Sequence, residues 1–321
     1  KILKNKKINI YNNYDSINKI FQKKKADYTL NAISGLDGLS PTLKIIKFTK
    51  KIAIANKESI ICGWSLIKNE LNKFKVKFIP VDSEHFSIWS LINDVKNINI
   101  EKVFITASGG PFKNYPLYKF NQITIRQSLK HPNWKMGNKI SIDSATLMNK
   151  VFEVIEAKKI FNFKYKQLKI LIHPNSYVHA IIKFSNGLTK ILIHDTNMKI
   201  PIFNSLYTNF EKKIKTKELN INLLNKLNFT DVDIRKFPIV KVLKKMPSND
   251  SLFETVIVSA NDKLVDLFLK KKITFNQISI FLLKIIEMNE FKKFKKIKLK
   301  NIDQIVKLND YVSLKVKSLC V

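Results

Sequence analysis

Along this chain, short apolar runs alternate with polar clusters and then with helical periodicity. Apolar runs at 28–33, 51–55, 76–81 and 102–106 read as strands. Each ends in a polar cluster: Ser34-Gly35-Leu36-Asp37-Gly38, Asn56-Lys57-Glu58-Ser59, Asp82-Ser83-Glu84-His85 and Ala107-Ser108-Gly109-Gly110-Pro111. Helical patterns follow the first three, from Ser40-Pro41 to about 49, then to about 74, then over 86–92. Pro41 stands where a helix accepts proline, at its first position behind a Ser cap. Strand–loop–helix in succession predicts a parallel sheet with right-handed crossovers. Ahead of it, 1–25 reads as a Lys-rich helix with surrounding turns.

The pattern changes in the second half. Apolar 168–172 precedes His173-Pro174-Asn175-Ser176, and the runs 177–184 and 188–194 flank Asn186-Gly187, a strong hairpin signal. Residues 208–235 read as irregular and linking. From Pro238 onward the pattern is helical, clearest over 254–269 and 275–288, and predicts a small bundle.

Between these halves lies the stretch around which the chain is organised, 131–153. It reads as a loop carrying His131, Trp134 and Met136, a short apolar run at 140–142, and a helix opening on Asp143 and Ser144. Asn149, Lys150 and Glu153 then recur at helical spacing and share one face. An amide, a cation and a carboxylate beside a helix start suit a bound anion next to a metal, with Glu153 a hard oxygen ligand for Mg²⁺ or Mn²⁺. The bland reading is a capped amphipathic helix with a solvated polar face. In parallel sheets ligands sit outside the carboxyl ends of the strands, where Lys57, Asp82, Glu84 and Ser108 all fall. Their bland readings are solvation for Lys57, a helix cap for Asp82 or Ser83, and an ordinary turn for Ser108-Gly109-Gly110.

Composition narrows the class. The chain has 321 residues, 45% hydrophobic and 11% aromatic, enough for two or three domains with a sizeable core. No apolar run approaches the roughly 20 residues of a membrane span, and the basic start lacks a signal peptide's apolar region. Two cysteines, Cys62 and Cys320, make neither a disulfide framework nor a zinc site. The expectation is a soluble, cytoplasmic protein. A formal charge of +33 invites nucleic-acid binding, but only Arg126 and Arg235 among 58 basic residues are arginine, and lysine is spread along the whole chain. Compositional drift explains that better than a binding face does.

The blocks Ala55-Asn56-Lys57-Glu58-Ser59, Pro80-Val81-Asp82-Ser83-Glu84-His85, Ser108-Gly109-Gly110-Pro111-Phe112 and His131 through Glu153 together resemble the 1-deoxy-D-xylulose 5-phosphate reductoisomerase family. Ile172-His173-Pro174, Ser176 and His179 add to the likeness, which runs weakly into Ser259-Ala260-Asn261-Asp262. The family rearranges 1-deoxyxylulose 5-phosphate and reduces the resulting aldehyde to 2-C-methylerythritol 4-phosphate in non-mevalonate isoprenoid synthesis, with NADPH and a divalent metal. The resemblance implies metal ligands Asp82, Glu84 and Glu153, and catalytic roles for Lys57, Glu84 and His131. It implies substrate contacts from Ser83, Ser108, His131, Ser144, Asn149 and Lys150. Cofactor contacts would come from Gly35, Asn56, Lys57, Glu58, Met136, Gly137 and Met198, with Trp134 and Met136 on a mobile flap. Three carboxylates around one site should show raised pKa values when metal-free.

The implied fold is α/β: a partial doubly wound parallel sheet (a truncated Rossmann-like domain), an α+β catalytic domain with an antiparallel hairpin, and a helical bundle at the carboxyl end. The expected divisions are 1–82, 83–207, a linker at 208–235, and 236–321. A homodimer is expected, with the Asn186-Gly187 hairpin as a pairing element, and a bacterial cytoplasm or plastid-like organelle as location. Three features depart from the family pattern. No Gly-x-Gly-x-x-Gly loop occurs and the first residue is Lys, so the expectation is that Lys1 lies inside a longer protein, about two βα units being absent at ~30 residues per βαβ motif. The chain as given is then expected to bind metal and phosphate but to reduce little. Around Met198, His194, Thr196, Asn197 and Lys199 replace the family's Gly, Pro, Asp and Arg. Val151 stands where a small residue follows the lysine. The alternatives are a metal-dependent phosphosugar isomerase without hydride transfer, and a basic nucleic-acid-binding protein.

Overall fold

The computed structural model describes residues 13–93, 99–134, 136–207 and 212–320. Of the expected first helix only α1 (Ser16–Phe21) falls there, residues 1–12 lying outside the described residues. Strands β1 (Thr29–Asn31), β2 (Lys51–Ile54) and β3 (Lys77–Pro80) form a parallel sheet in that order, joined by α2 (Leu39–Ile46) and α3 (Lys57–Phe74). Ile52, Ala53 and Ile54 are all buried, the continuous apolar run of a strand covered on both faces.

Helix α2 does not start on a Ser40 cap. A 3₁₀ turn over Leu36–Gly38 runs directly into it, and Thr42 Oγ1 donates to the Gly38 carbonyl at 2.7 Å. Pro41 is therefore the third helical residue, still within the first turn, where the missing N–H costs nothing.

The fourth expected strand does not extend the parallel sheet. β4 (Ile100–Ala107) is the centre of a second, mixed sheet of order β7-β6-β4-β5-β8. It runs parallel to β5 (Leu168–Ile172) and antiparallel to β6 (Val178–Phe184), which pairs with β7 (Thr189–Ile193) across the Asn186-Gly187 turn. Gly187 has φ +87°, which such turns require of a central residue. The apolar pattern of β4 suits either sheet. Helix α4 (Ser83–Ile92), packed on β6 and β7, carries the chain from one sheet to the other. Of the expected linker, 208–211 lie outside the described residues, and 212–235 are less irregular than expected. They include the short helix α9 (Ile221–Asn225) and β8 (Thr230–Asp231), which pairs with the end of β5 and covers that edge.

Between β4 and β5 lie α5 (Ile125–Ser128), α6 (Asn138–Thr146) and α7 (Met148–Phe161). The helix expected to open on Asp143 and Ser144 is two helices, and these residues belong to the end of α6. The break is Leu147, in the left-handed region at φ 67°. Leucine pays about 1–2 kcal/mol there, and its fully buried side chain holds it in place. After β7, α8 (Lys199–Leu206) follows Met198. The carboxyl-terminal part is helical as expected: α10 (Phe253–Leu269), α11 (Phe275–Ile285), α12 (Asn289–Lys292) and α13 (Ile302–Cys320). Helix α10 packs on α13 and α11 and also reaches α3 and α6. Among the described residues no helix is long and apolar enough to cross a membrane.

Candidate active site

Three local signals place the acidic residues. Asp82 stands two residues past β3 and caps α4, its Oδ1 accepting the Glu84 N–H at 3.2 Å. That cap puts Glu84 in the first turn of α4. Glu153 comes from α7, on the face it shares with Asn149 and Lys150. The ligand oxygens of Asp82, Glu84 and Glu153 lie within 4.8 Å of one another. The bland reading of Asp82 is thus also correct: it caps a helix and offers an oxygen to the cluster.

Two lysines neutralise the cluster from its sides. Lys57, the first residue of α3, donates to Asp82 Oδ2 and lies 3.7 Å from Glu153 and 3.6 Å from Glu156. Lys150 Nζ bridges Glu84 Oε1 and Glu153 Oε2, the latter at 2.6 Å. Asn149 Nδ2 donates to the other Glu153 oxygen, and Ser83 Oγ to Glu84 Oε2 at 2.5 Å. Of the raised pKa values expected for all three acids, only one occurs. Burial and the neighbouring Glu84 push Glu153 up to about 8. Burial opposes ionisation of Asp82 as well, but Lys57 and His85 outweigh it and hold its carboxyl well below the usual range. Glu84 is lowered because Lys150 outweighs burial. The donor set, three hard carboxylate oxygens, fits a Mg²⁺ or Mn²⁺ ion.

The cluster opens into a cavity of about 230 Å³ lined by every expected catalytic, substrate and metal residue: Lys57, Asp82, Ser83, Glu84, Ser108, His131, Ser144, Asn149, Lys150 and Glu153. His131, Trp134 and Met136 line one side of it. Asn133 Nδ2 donates to the Pro174 carbonyl and to Ser176 Oγ, both at 2.8 Å, and the Trp134 ring stands edge-on to His179 at 6.3 Å. His131 Nδ1 accepts the N–H groups of Asn133 (3.1 Å) and Trp134 (2.9 Å). Its ring proton therefore sits on Nε2, which donates to Ser108 Oγ at 3.3 Å. Burial and then Lys150 lower the His131 pKa to about 4, so the ring is neutral near pH 7.

A second groove, about 420 Å³, adjoins the first and shares Lys57 and Asn149 with it. Gly35, Asn56, Glu58 and Gly137 line it, with Lys139 and Phe152. Asn56 caps α3 by accepting the Ser59 N–H at 2.6 Å and donates to the Gly35 carbonyl at 2.5 Å, so one side chain ties the glycine turn to the helix. The two other residues expected at the cofactor, Met136 and Met198, line the first cavity instead. Missed from the sequence were Glu156, His85, Asn133 and Lys139. Glu156 had a signal, its position three residues after Glu153 on the same helical face. His85 and Lys139 each have one near partner, Asp82 and Asp143, but their other partners and those of the Asn133 side chain are remote in sequence.

Family models describe the match. One for 1-deoxy-D-xylulose 5-phosphate reductoisomerase covers 1–63, one for that enzyme's C-terminal domain covers 78–161, and one for a DXP reductoisomerase C-terminal domain covers 194–313. The 1-deoxy-D-xylulose 5-phosphate reductoisomerase of Pelagibacter ubique is 64% identical over 100% of this chain and 83% of its own length. This chain belongs to that family. The reductoisomerase of Sulfurihydrogenibium sp. is 39% identical over 83% of this chain and 70% of its own. The fold of this reductoisomerase family member matches solved structures. A DOX-P reductoisomerase in complex with NADPH, fosmidomycin and magnesium superposes with a TM-score of 0.84 at 27% identity, over 95% of this chain and 78% of that one. The Zymomonas mobilis reductoisomerase with NADPH gives 0.83 at 28%, over 96% and 78%.

Proposed function

We propose that this protein converts 1-deoxy-D-xylulose 5-phosphate to 2-C-methyl-D-erythritol 4-phosphate, by rearrangement and then reduction, with NADPH and Mg²⁺ or Mn²⁺, as a step of non-mevalonate isoprenoid synthesis. The observation that carries this reading is the three-carboxylate cluster in a cavity lined by His131, Trp134 and Met136, adjoining a second groove of about 420 Å³. Asp82, Glu84 and Glu153 would hold the cation, which when bound supplies Lewis-acid polarisation of adjacent carbonyl and hydroxyl oxygens. NADPH supplies the hydride. Lys57 and Ser83, beside the cluster, orient the substrate oxygens. Ser108, His131, Ser144, Asn149 and Lys150 hold the rest of the substrate and its phosphate. Neutral His131 presents an N–H to the cavity through Ser108 and adds no charge. Closure of the 131–137 loop excludes water before hydride transfer. Gly35, Asn56, Glu58 and Gly137 form the cofactor side, and Met136 and Met198 line the adjoining substrate side.

The protein would act in a bacterial cytoplasm as a homodimer. The outward side chains of the β6–β7 hairpin, Leu188 at 60% exposure and Ile191 at 44%, support pairing there. The test adds 1-deoxy-D-xylulose 5-phosphate to protein, Mg²⁺ and NADPH, and follows both NADPH absorbance and product. Coupled NADPH loss and product formation at ordinary turnover would support this reading and overturn the expectation, drawn from the missing Gly-x-Gly-x-x-Gly loop, that this chain reduces little. Isomerised product without NADPH loss would favour an isomerase lacking hydride transfer, and no turnover of either kind would sink both.

A further inference from the structure

Outside the metal cluster, the densest charge arrangement surrounds Lys139. This residue lies in the first turn of α6, two positions after Gly137, where the loop beside the cavity ends. Its Nζ lies 2.5 Å from Glu58 Oε1, 3.1 Å from Asp143 and 3.0 Å from Asp262. These carboxylates come from three helices, α3, α6 and α10. Asn261 Nδ2 donates to Asp143 at 2.8 Å, a second strut from α10. The ammonium also stands over the Phe152 ring of α7, 5.3 Å from its centroid.

We propose that Lys139 is a positioning residue for the dinucleotide, which fixes Glu58 in the second groove and braces it through Asp262 against the carboxyl-terminal helices. The inference rests on the reductoisomerase reading of that groove. Glu58 lines the groove one residue from Lys57, so its placement bears on cofactor and substrate together. Burial alone would keep Glu58 protonated, and Lys139 outweighs burial and keeps it ionised. An ionised, anchored carboxylate is an acceptor for hydroxyl donors, such as those of a nucleotide ribose. It also repels phosphate. Of the three carboxylates around the ammonium, Glu58 and Asp143 line the groove, where Lys57 and Lys139 balance them by formal count. Loss of Lys139 leaves Asn261–Asp143 as the polar tie between α6 and α10 and leaves three acids to repel one another.

The test compares Lys139→Met, Lys139→Arg and Asp262→Asn with the unmodified protein by NADPH fluorescence titration, by KM and kcat, and by Mn²⁺ binding. Lys139→Met is expected to weaken NADPH binding about tenfold and to raise KM for NADPH similarly, with Mn²⁺ affinity unchanged within about twofold. Arg should restore part of the loss, and Asp262→Asn, which keeps the lysine, should show a smaller effect in the same direction. Unchanged NADPH affinity in Asp262→Asn and in whichever lysine variant folds would overturn the proposal. So would absence of NADPH binding by the unmodified protein, an outcome that leaves the carboxylate cluster standing if Mn²⁺ still binds.

Discussion

His131 Nδ1 accepts the Trp134 backbone N–H at 2.9 Å, so the loop beside the cavity fixes the tautomer of its own histidine. A protonated ring would lose that bond and the one from Asn133, and would face Lys150 as a like charge. A base whose folded pKa is depressed, here to about 4 against about 6.5 unfolded, binds its proton more weakly when folded. The contribution to stability is therefore fully present above pH 6.5 and lost as pH falls toward 4. His179, buried and lowered to about 4, acts in the same direction. Denaturant unfolding of His131→Gln across this range should fall less steeply with acid than that of the unmodified protein. Identical slopes would mean that His131 titrates normally.

Glu153 is the one acid of the three-carboxylate cluster whose pKa is raised, to about 8, by burial and then by Glu84, and it supplies a third of the cluster. Replacing it as Glu153→Gln should weaken Mn²⁺ binding at least tenfold, about 1.4 kcal/mol, read from the free-ion electron paramagnetic resonance signal. Metal-free stability should hardly fall, because Lys150 keeps its bond to Glu84. Undiminished Mn²⁺ affinity would put the ion somewhere else.

The Ser108-Gly109-Gly110 turn is more than ordinary. Gly110 has φ +63°, and a Cβ there would lie 3.0 Å from the Ser144 carbonyl oxygen and 3.3 Å from Ala145 Cα. Both obstacles are backbone at the end of α6. Gly110→Ala should therefore lose about 2 kcal/mol or more of stability, since the left-handed conformation alone costs about 1–2 kcal/mol. A loss under 0.5 kcal/mol in urea unfolding would show that the α6–α7 elbow yields easily.

Asn133 anchors the loop through two hydrogen bonds to the 174–176 turn. Each contributes on the order of 1 kcal/mol. Asn133→Ala should speed amide exchange at Trp134 by about tenfold or more, while α10 amides exchange as before. Equal protection at Trp134 would assign closure to the Trp134–His179 contact alone.

The sequence by itself determined what depends on near neighbours. Asn56 and Asp82 cap the helices that follow because their side chains reach N–H groups two or three residues on. Asn149, Lys150 and Glu153 share a face because helical spacing puts them there. Asn186-Gly187 turns a hairpin because glycine accepts φ +87°. The motif blocks that carry the family likeness are local in the same sense, so the residues gathered at the cavity were legible before the fold. Tertiary structure decided the rest. Whether β4 extended one sheet or founded another depended on which strands stood beside it, and β4 itself suits both. Leu147 breaks α6 from α7 because a buried side chain holds it where propensity would not. Beyond their near partners Glu153 and Asp143, Lys150 pairs with Glu84 and Lys139 with Asp262, and Lys57 pairs with Asp82, through contacts 25 to 123 positions apart in the chain. Such partners are chosen only when the chain closes, because the low-dielectric interior leaves a buried charge no alternative to the opposite charge that packing brings to it.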